Sequence, residues 1–242
     1  MMKRRTLAAL AATLLPVPAL AQALSAEQRA EVLQILRQAL RDDPTILREA
    51  LAGMEQADQA ERANATGRAI AANAELLFRD ANDPVKGNPQ GRITIVEFFD
   101  ARCGYCKRLH PTMEQLLARE RDVRVVMKDL PILGPNSVLA TRALLAAQRQ
   151  GQYVPLYDAL MRLREDANEA VIRREAERLR LDWARMRREM EDAAITGRIQ
   201  RNLELARALD IQGTPALVIG NTLVPGAVEL DALQRLTAEQ RG

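Results

Sequence analysis

The chain predicts an α/β fold with a helical insertion, preceded by an α-helical segment on its N-terminal side. Three observations carry this expectation. The apolar run Ile93-Thr94-Ile95-Val96-Glu97-Phe98-Phe99 reads as a buried strand and leads into Cys103-Gly104-Tyr105-Cys106, the only cysteines, at the start of a helical pattern. From there the elements follow in the order strand, helix, strand, helical block, strand, strand, helix. Turn-rich Asn82-Asp83-Pro84 and Gly87-Asn88-Pro89-Gln90-Gly91 set this part apart from an upstream stretch with helical periodicity alone.

Taken in order, Lys3-Arg4-Arg5 precede an apolar stretch from Leu7 to Leu15 and the ending Ala19-Leu20-Ala21. That is the build of a secretory signal peptide, with cleavage expected after Ala21 and Ala23 as the second choice. The apolar part is too short to span a bilayer. Export would deliver the chain to a compartment where disulfides persist. Removing these three basic residues from 35 leaves 32 Lys and Arg against 32 Asp and Glu, so the processed chain is formally neutral. Nothing in that balance invites nucleic acid or an anionic membrane.

Ser25-Ala26-Glu27-Gln28 is a capping box ahead of a stripe of Val32, Leu33, Leu36 and Leu40. Asp43 and Pro44 end that helix and open a second, which carries Ile46, Leu47, Ala50, Leu51 and Met54 and then turns Ala-rich. Such helices bury too little to stand alone, so their stripes need a partner, either the chain's own α/β domain or a second copy of the chain, of which the second copy is favoured. Beyond the boundary, Ile93–Phe99 is a strand, Gly104 to about Arg119 a helix, and Val123–Lys128 a second strand. Residues 136–209 are nearly all helical, with Met186, Met190 and Trp183 read as core rather than a cofactor box. Gly213-Thr214-Pro215 leads into the hairpin Ala216–Val224, and a helix from Glu229 closes the chain. The organisation expected is a signal peptide over 1–21, a helical segment over 22–81, and an α/β domain over 82–242 with its helical insertion at about 136–209.

The cysteine pair decides the chemistry. A helix N-terminus offers unpaired N–H groups and positive dipole, which favour a thiolate on Cys103, and the spacing lets Cys106 close a reversible disulfide with it. Zinc needs four ligands, whereas Cys103, Cys106 and the single histidine, His110, are all there is. Haem attachment needs a histidine where Lys107 stands. A structural disulfide would normally close a longer loop. The pair therefore reads as a redox device, with no metal and no organic cofactor implied. His110, about two helical turns from Cys103, is expected to face solvent.

From Asp83 onward the chain resembles the DsbA branch of the thioredoxin superfamily. The resemblance rests on Val96-Glu97-Phe98-Phe99-Asp100 before Cys103-Gly104-Tyr105-Cys106-Lys107, on Pro111, on Lys128 closing the next strand, on the helical insertion, and on Gly213-Thr214-Pro215. The upstream helices resemble those of oligomeric ScsC-type members. The resemblance implies a thioredoxin-like fold with Cys103 as nucleophile, Cys106 as resolving thiol and Thr214-Pro215 as a cis-proline dipeptide that pairs with substrate backbone. Read from the residues alone, Pro215 could equally be a trans turn proline. The resemblance also sets Glu97 and Lys128 beneath the disulfide as groups that tune its pKa values, the alternative being edge-strand charges facing water. Gly104-Tyr105 departs from the Pro-His pair of strongly oxidising members and is closer to the disulfide isomerases, which implies a less oxidising couple.

The function expected is an exported, periplasmic thiol:disulfide oxidoreductase, isomerase-like in direction and a dimer or trimer. Its partners would be disulfide-containing exported proteins and a membrane redox partner, with no membrane span of its own once the signal is removed. The rivals are a monomeric dithiol oxidase and, from another class, a helical holdase or copper-handling protein using the cysteines as soft ligands.

Overall fold

In a computed structural model, residues 24–241 are described, so the expected signal peptide lies outside the described residues. The chain divides into two compact units between Ala57 and Asp58. In the first, the capping box forms as expected: Gln28 N–H donates to Ser25 Oγ at 3.2 Å and Ser25 N–H to Gln28 Oε1 at 2.9 Å, opening α1 (Ala26–Asp42). Asp43 Oδ1 accepts from Thr45 N–H at 2.9 Å where α2 (Thr45–Ala72) begins. Val32, Leu33, Leu36, Leu40, Ile46, Leu47 and Leu51 are all exposed.

The second unit starts upstream of the boundary expected at residue 82. Ile70, near the end of α2, and Leu77, in α3 (Ala74–Phe78), are buried in the core and belong to this second unit. Gly67 explains itself here, because a Cβ at that position would lie 2.5 Å from Asn221 Nδ2 in the closing hairpin. A larger residue at this position would have to displace the end of the Asn221 side chain.

The sheet has five strands in the order β1-β3-β2-β4-β5: β1 (Val85–Gly87), β2 (Ile93–Phe99), β3 (Val123–Asp129), β4 (Ala216–Ile219) and β5 (Thr222–Pro225). β2 and β3 run parallel and the other pairs antiparallel. β1 was hidden in the sequence, because its three residues sit among the prolines and glycines of the boundary. Side-chain alternation gives the sheet two covered faces. Ile93, Ile95 and Phe99 of β2 lie in one core with Val123, Val125 and Met127, under α4 (Gly104–Arg119) and the helical insertion. Val96 and Phe98 lie in the other with Val126, Val218, Ile70 and Leu77. Register therefore decides which charges share a face: Glu97 stands opposite Met127, and Lys128 opposite Phe98.

The insertion consists of α5 (Pro135–Gln148), α6 (Tyr153–Arg162), α7 (Glu169–Arg178), α8 (Trp183–Glu189) and α9 (Ala193–Ala208). Asn168, Asp182 and Asp192 cap the last three through their side chains. Gly134, with φ of 98°, turns the chain into α5, whose first residue is Pro135. Met186 and Met190 are fully buried, and Trp183 packs against the core cluster that holds them, as expected of core. α10 (Leu230–Glu239) closes the fold.

Candidate active site

β2 delivers the chain to a tight turn at its C-terminal end, where Cys103 N–H donates to the Asp100 carbonyl at 3.0 Å. Asp100 is fully buried and braces this turn: Oδ1 accepts from Arg102 N–H at 2.8 Å, and Oδ2 from Ile132 and Leu133 N–H at 2.9 and 3.1 Å. Cys103 is thereby held as the N-cap of α4, with an extended backbone and 7% of its surface exposed. Its sulfur lies 3.1 Å from the Thr214 carbonyl oxygen, to which it can donate only while protonated. The Thr214–Pro215 peptide bond is cis. Beside it runs an apolar groove of about 400 Å³ lined by Tyr105, Ile211, Thr214, Pro215, Leu223 and Pro225. Tyr105 is 60% exposed, with the Arg108 guanidinium 3.8 Å from its ring centroid.

The two thiols are electrostatically unlike. Cys103 is lowered to about 5, chiefly by the hydrogen bond from the Cys106 thiol, then by the Thr214 side chain and the N–H groups of Cys106 and Tyr105, against its own burial. Cys106 is fully buried and pushed far up, by desolvation first and then by its bond to Cys103 and the nearby charge of Glu97. One sulfur is a thiolate at neutral pH and the other a thiol.

Glu97 is 1% exposed and raised to about 7, because burial outweighs the opposing pull of Lys86 and the Tyr157 hydroxyl. Tyr157 Oη donates to both carboxylate oxygens, at 3.3 and 3.4 Å. Lys128 is not brought to this place. Its ammonium is buried on the opposite face of the sheet, where it binds Asp83 and the Leu76 carbonyl at the end of α3. The parallel register with β2 accounts for this, since Lys128 alternates with Met127. The buried cation on the Glu97 side is Lys86 of β1, which sequence reasoning passed over because β1 itself was not legible. Its one signal was scarcity: only Lys86, Lys107 and Lys128 remain beyond residue 21. His110 does not face solvent as expected. It is buried, and its Nε2 lies 2.8 Å from Asp158 Oδ1 on α6.

A parallel strand pair flanked by antiparallel strands, with a CxxC pair capping a helix against a cis-proline loop, defines a thioredoxin-like redox fold. Residues 94–238 match the family model described as the DSBA-like thioredoxin domain, and the chain belongs to that family. It is similar to a thioredoxin-like oxidoreductase from Silicibacter pomeroyi (41% identity, 69% of this chain and 96% of that one, TM-score 0.67). It is also similar to Proteus mirabilis ScsC in a transitional conformation (33% identity, 90% of this chain and 97% of that one, TM-score 0.66). Among curated proteins it is 31% identical over 153 residues, 62% of its length, to the Na(+)/H(+) antiporter NhaA 3 of Salinispora tropica. The chain spans only 24% of the length of that relative. Among the described residues, no helix is long and apolar enough to cross a membrane.

Proposed function

We propose that this protein is an exported thiol:disulfide oxidoreductase acting on disulfide-bonded proteins of the periplasm. The observation that carries the reading is the Cys103 sulfur at a helix N-cap, 3.1 Å from the Thr214 carbonyl and beside an apolar groove. The Cys103 thiolate attacks a substrate disulfide, forming one S–S bond and releasing a substrate thiolate, which takes a proton from water. The mixed disulfide is then either resolved by the substrate's own thiol, which isomerises the substrate, or by Cys106. In the second case the Cys106 thiol gives its proton to the Glu97 carboxylate and bonds to Cys103. The second substrate sulfur leaves with the electron pair, so the substrate disulfide is reduced and the cysteine pair oxidised. Thr214 and Pro215 seat the substrate backbone, and Gly104 and Tyr105 tune the couple. A membrane partner resets its redox state.

Direction is read as isomerase-like, from Gly104-Tyr105 and from a second copy covering the exposed α1–α2 stripe, which would make the protein a dimer or trimer. The ScsC match supports the upstream helices as part of this architecture, because 90% of the chain is more than the unit from Asp58 contains. A dithiol oxidase is the second reading, and the depressed Cys103 thiol favours it, since a stabilised thiolate makes the couple more oxidising. Cys103→Ser tests the class. It should abolish insulin reduction and scrambled-ribonuclease refolding alike, whereas a holdase would keep its client binding and protection.

A further inference from the structure

We infer that Lys86 is a positioning residue for this chemistry: with the groups around it, it sets when Glu97 is free to take the Cys106 proton. The inference rests on the reading of Glu97 as proton acceptor given above. Lys86 lies on β1, buried, with its ammonium bound to Asp158 and, at 2.6 Å, to Glu114. The same ammonium lies 5.1 Å from the centroid of the Tyr157 ring. Tyr157 in turn donates its hydroxyl to both oxygens of Glu97. Two carboxylates would suffice to compensate a buried lysine. Placement over the phenol does something more: a cation at the ring makes the hydroxyl a stronger donor, and it favours the charged form of the carboxylate beyond.

The charged and titratable groups around Lys86, Tyr157 and Glu97 come from three elements. β1 supplies Lys86, α6 supplies Tyr157 and Asp158, and α4 supplies Cys106, Glu114 and His110, whose ring centroid is 5.6 Å from that of Tyr157. Arg162 reaches Glu114 from the rim at 3.8 Å. Lys86 is thus the buried lysine of this set, and Glu114 and Asp158 oppose its effect on Glu97.

Resolution by Cys106 requires Glu97 unprotonated, so its rate should rise with pH through the Glu97 titration. Removing the cation makes the carboxylate harder to ionise and moves that midpoint up. Removing Glu114 leaves the cation less compensated and moves it down. The experiment is stopped-flow reaction of the full processed chain with a fluorescent disulfide-bonded peptide across pH 5 to 9, separating attack by Cys103 from resolution by Cys106. Lys86→Met should raise the resolution midpoint by about one pH unit. Lys86→Arg should restore it, and Glu114→Gln should lower it. The opposite shifts distinguish this role from a structural one, which would lower stability in both variants without moving the midpoint. If Lys86→Met does not fold, Glu114→Gln and Lys86→Arg carry the test. The inference is overturned if Glu97→Gln removes the pH dependence of resolution while neither the Lys86 nor the Glu114 variants shift it. If Glu97→Gln leaves the dependence intact, the reading of Glu97 itself fails.

Discussion

Two buried carboxyl groups, Glu97 and Asp129, are both held near neutrality by desolvation, each raised to about 7. Asp129 is fully buried, takes one hydrogen bond from Tyr153 Oη at 2.8 Å, and among the described residues has no partner for Oδ1. Its folded pKa lies above its unfolded value, so between about pH 4 and pH 7 the folded state binds the extra proton. Stability from this group is therefore present at low pH and lost as pH rises through 7. Asp129→Asn keeps the Tyr153 bond and removes the ionisation. Urea unfolding should show the variant gaining on the parent from pH 5 to pH 8, and an equal difference at both pH values would mean that Asp129 does not titrate there. Cys103 yields a second prediction. Replacing the His of strongly oxidising members by Tyr105 was expected to weaken the thiolate, yet the thiol lies at about 5 without any imidazole, because Cys106 and the backbone N–H groups supply the stabilisation. Replacing Gly104-Tyr105 by Pro-His should lower it further, as read from ultraviolet thiolate absorbance against pH. No change on that swap would mean that the backbone and Cys106 alone set the value.

At the scale of elements, β2, α4 and β3 were legible because a continuous apolar run, a CxxC cap and a second apolar run leave no other assignment. What the sequence withheld was pairing. Face is a matter of register, and register made Lys128 a latch on α3 and gave Glu97 a cation from β1. Lys128 and Arg198 both bind Asp83, the latter at 2.8 Å, while Lys128 and Arg124 bind the carbonyls of Leu76 and Phe78. Lys128→Met should cost about 3 kcal/mol by leaving a buried carboxylate less compensated. Turnover per folded molecule should stay unchanged in insulin reduction. A variant that is stable but slow would restore Lys128 to the active site. His110 was misjudged for a similar reason: its partner Asp158 lies 48 residues away on a helix whose docking periodicity alone does not reveal.

At the scale of the molecule, the apolar stripes of α1 and early α2 are fully legible as amphipathic but have no cover among the described residues of their own unit, which supports assembly through a second copy. Light scattering should give a dimer or trimer for the processed chain and a monomer for a chain beginning at Asp58, which keeps Ile70 and Leu77 in the core. A monomer in both cases would sink that assembly. Everything in this reading turns on Cys103 as the nucleophile of a disulfide exchange that Cys106 completes. Its most direct test is to incubate the Cys106→Ala variant with a disulfide-bonded peptide and measure the protein's mass. A peptide adduct should form on Cys103, be released by dithiothreitol, and be absent when Cys103→Ser is added. An unmodified Cys106→Ala protein, with Cys103 accessible to a small alkylating agent, would contradict it.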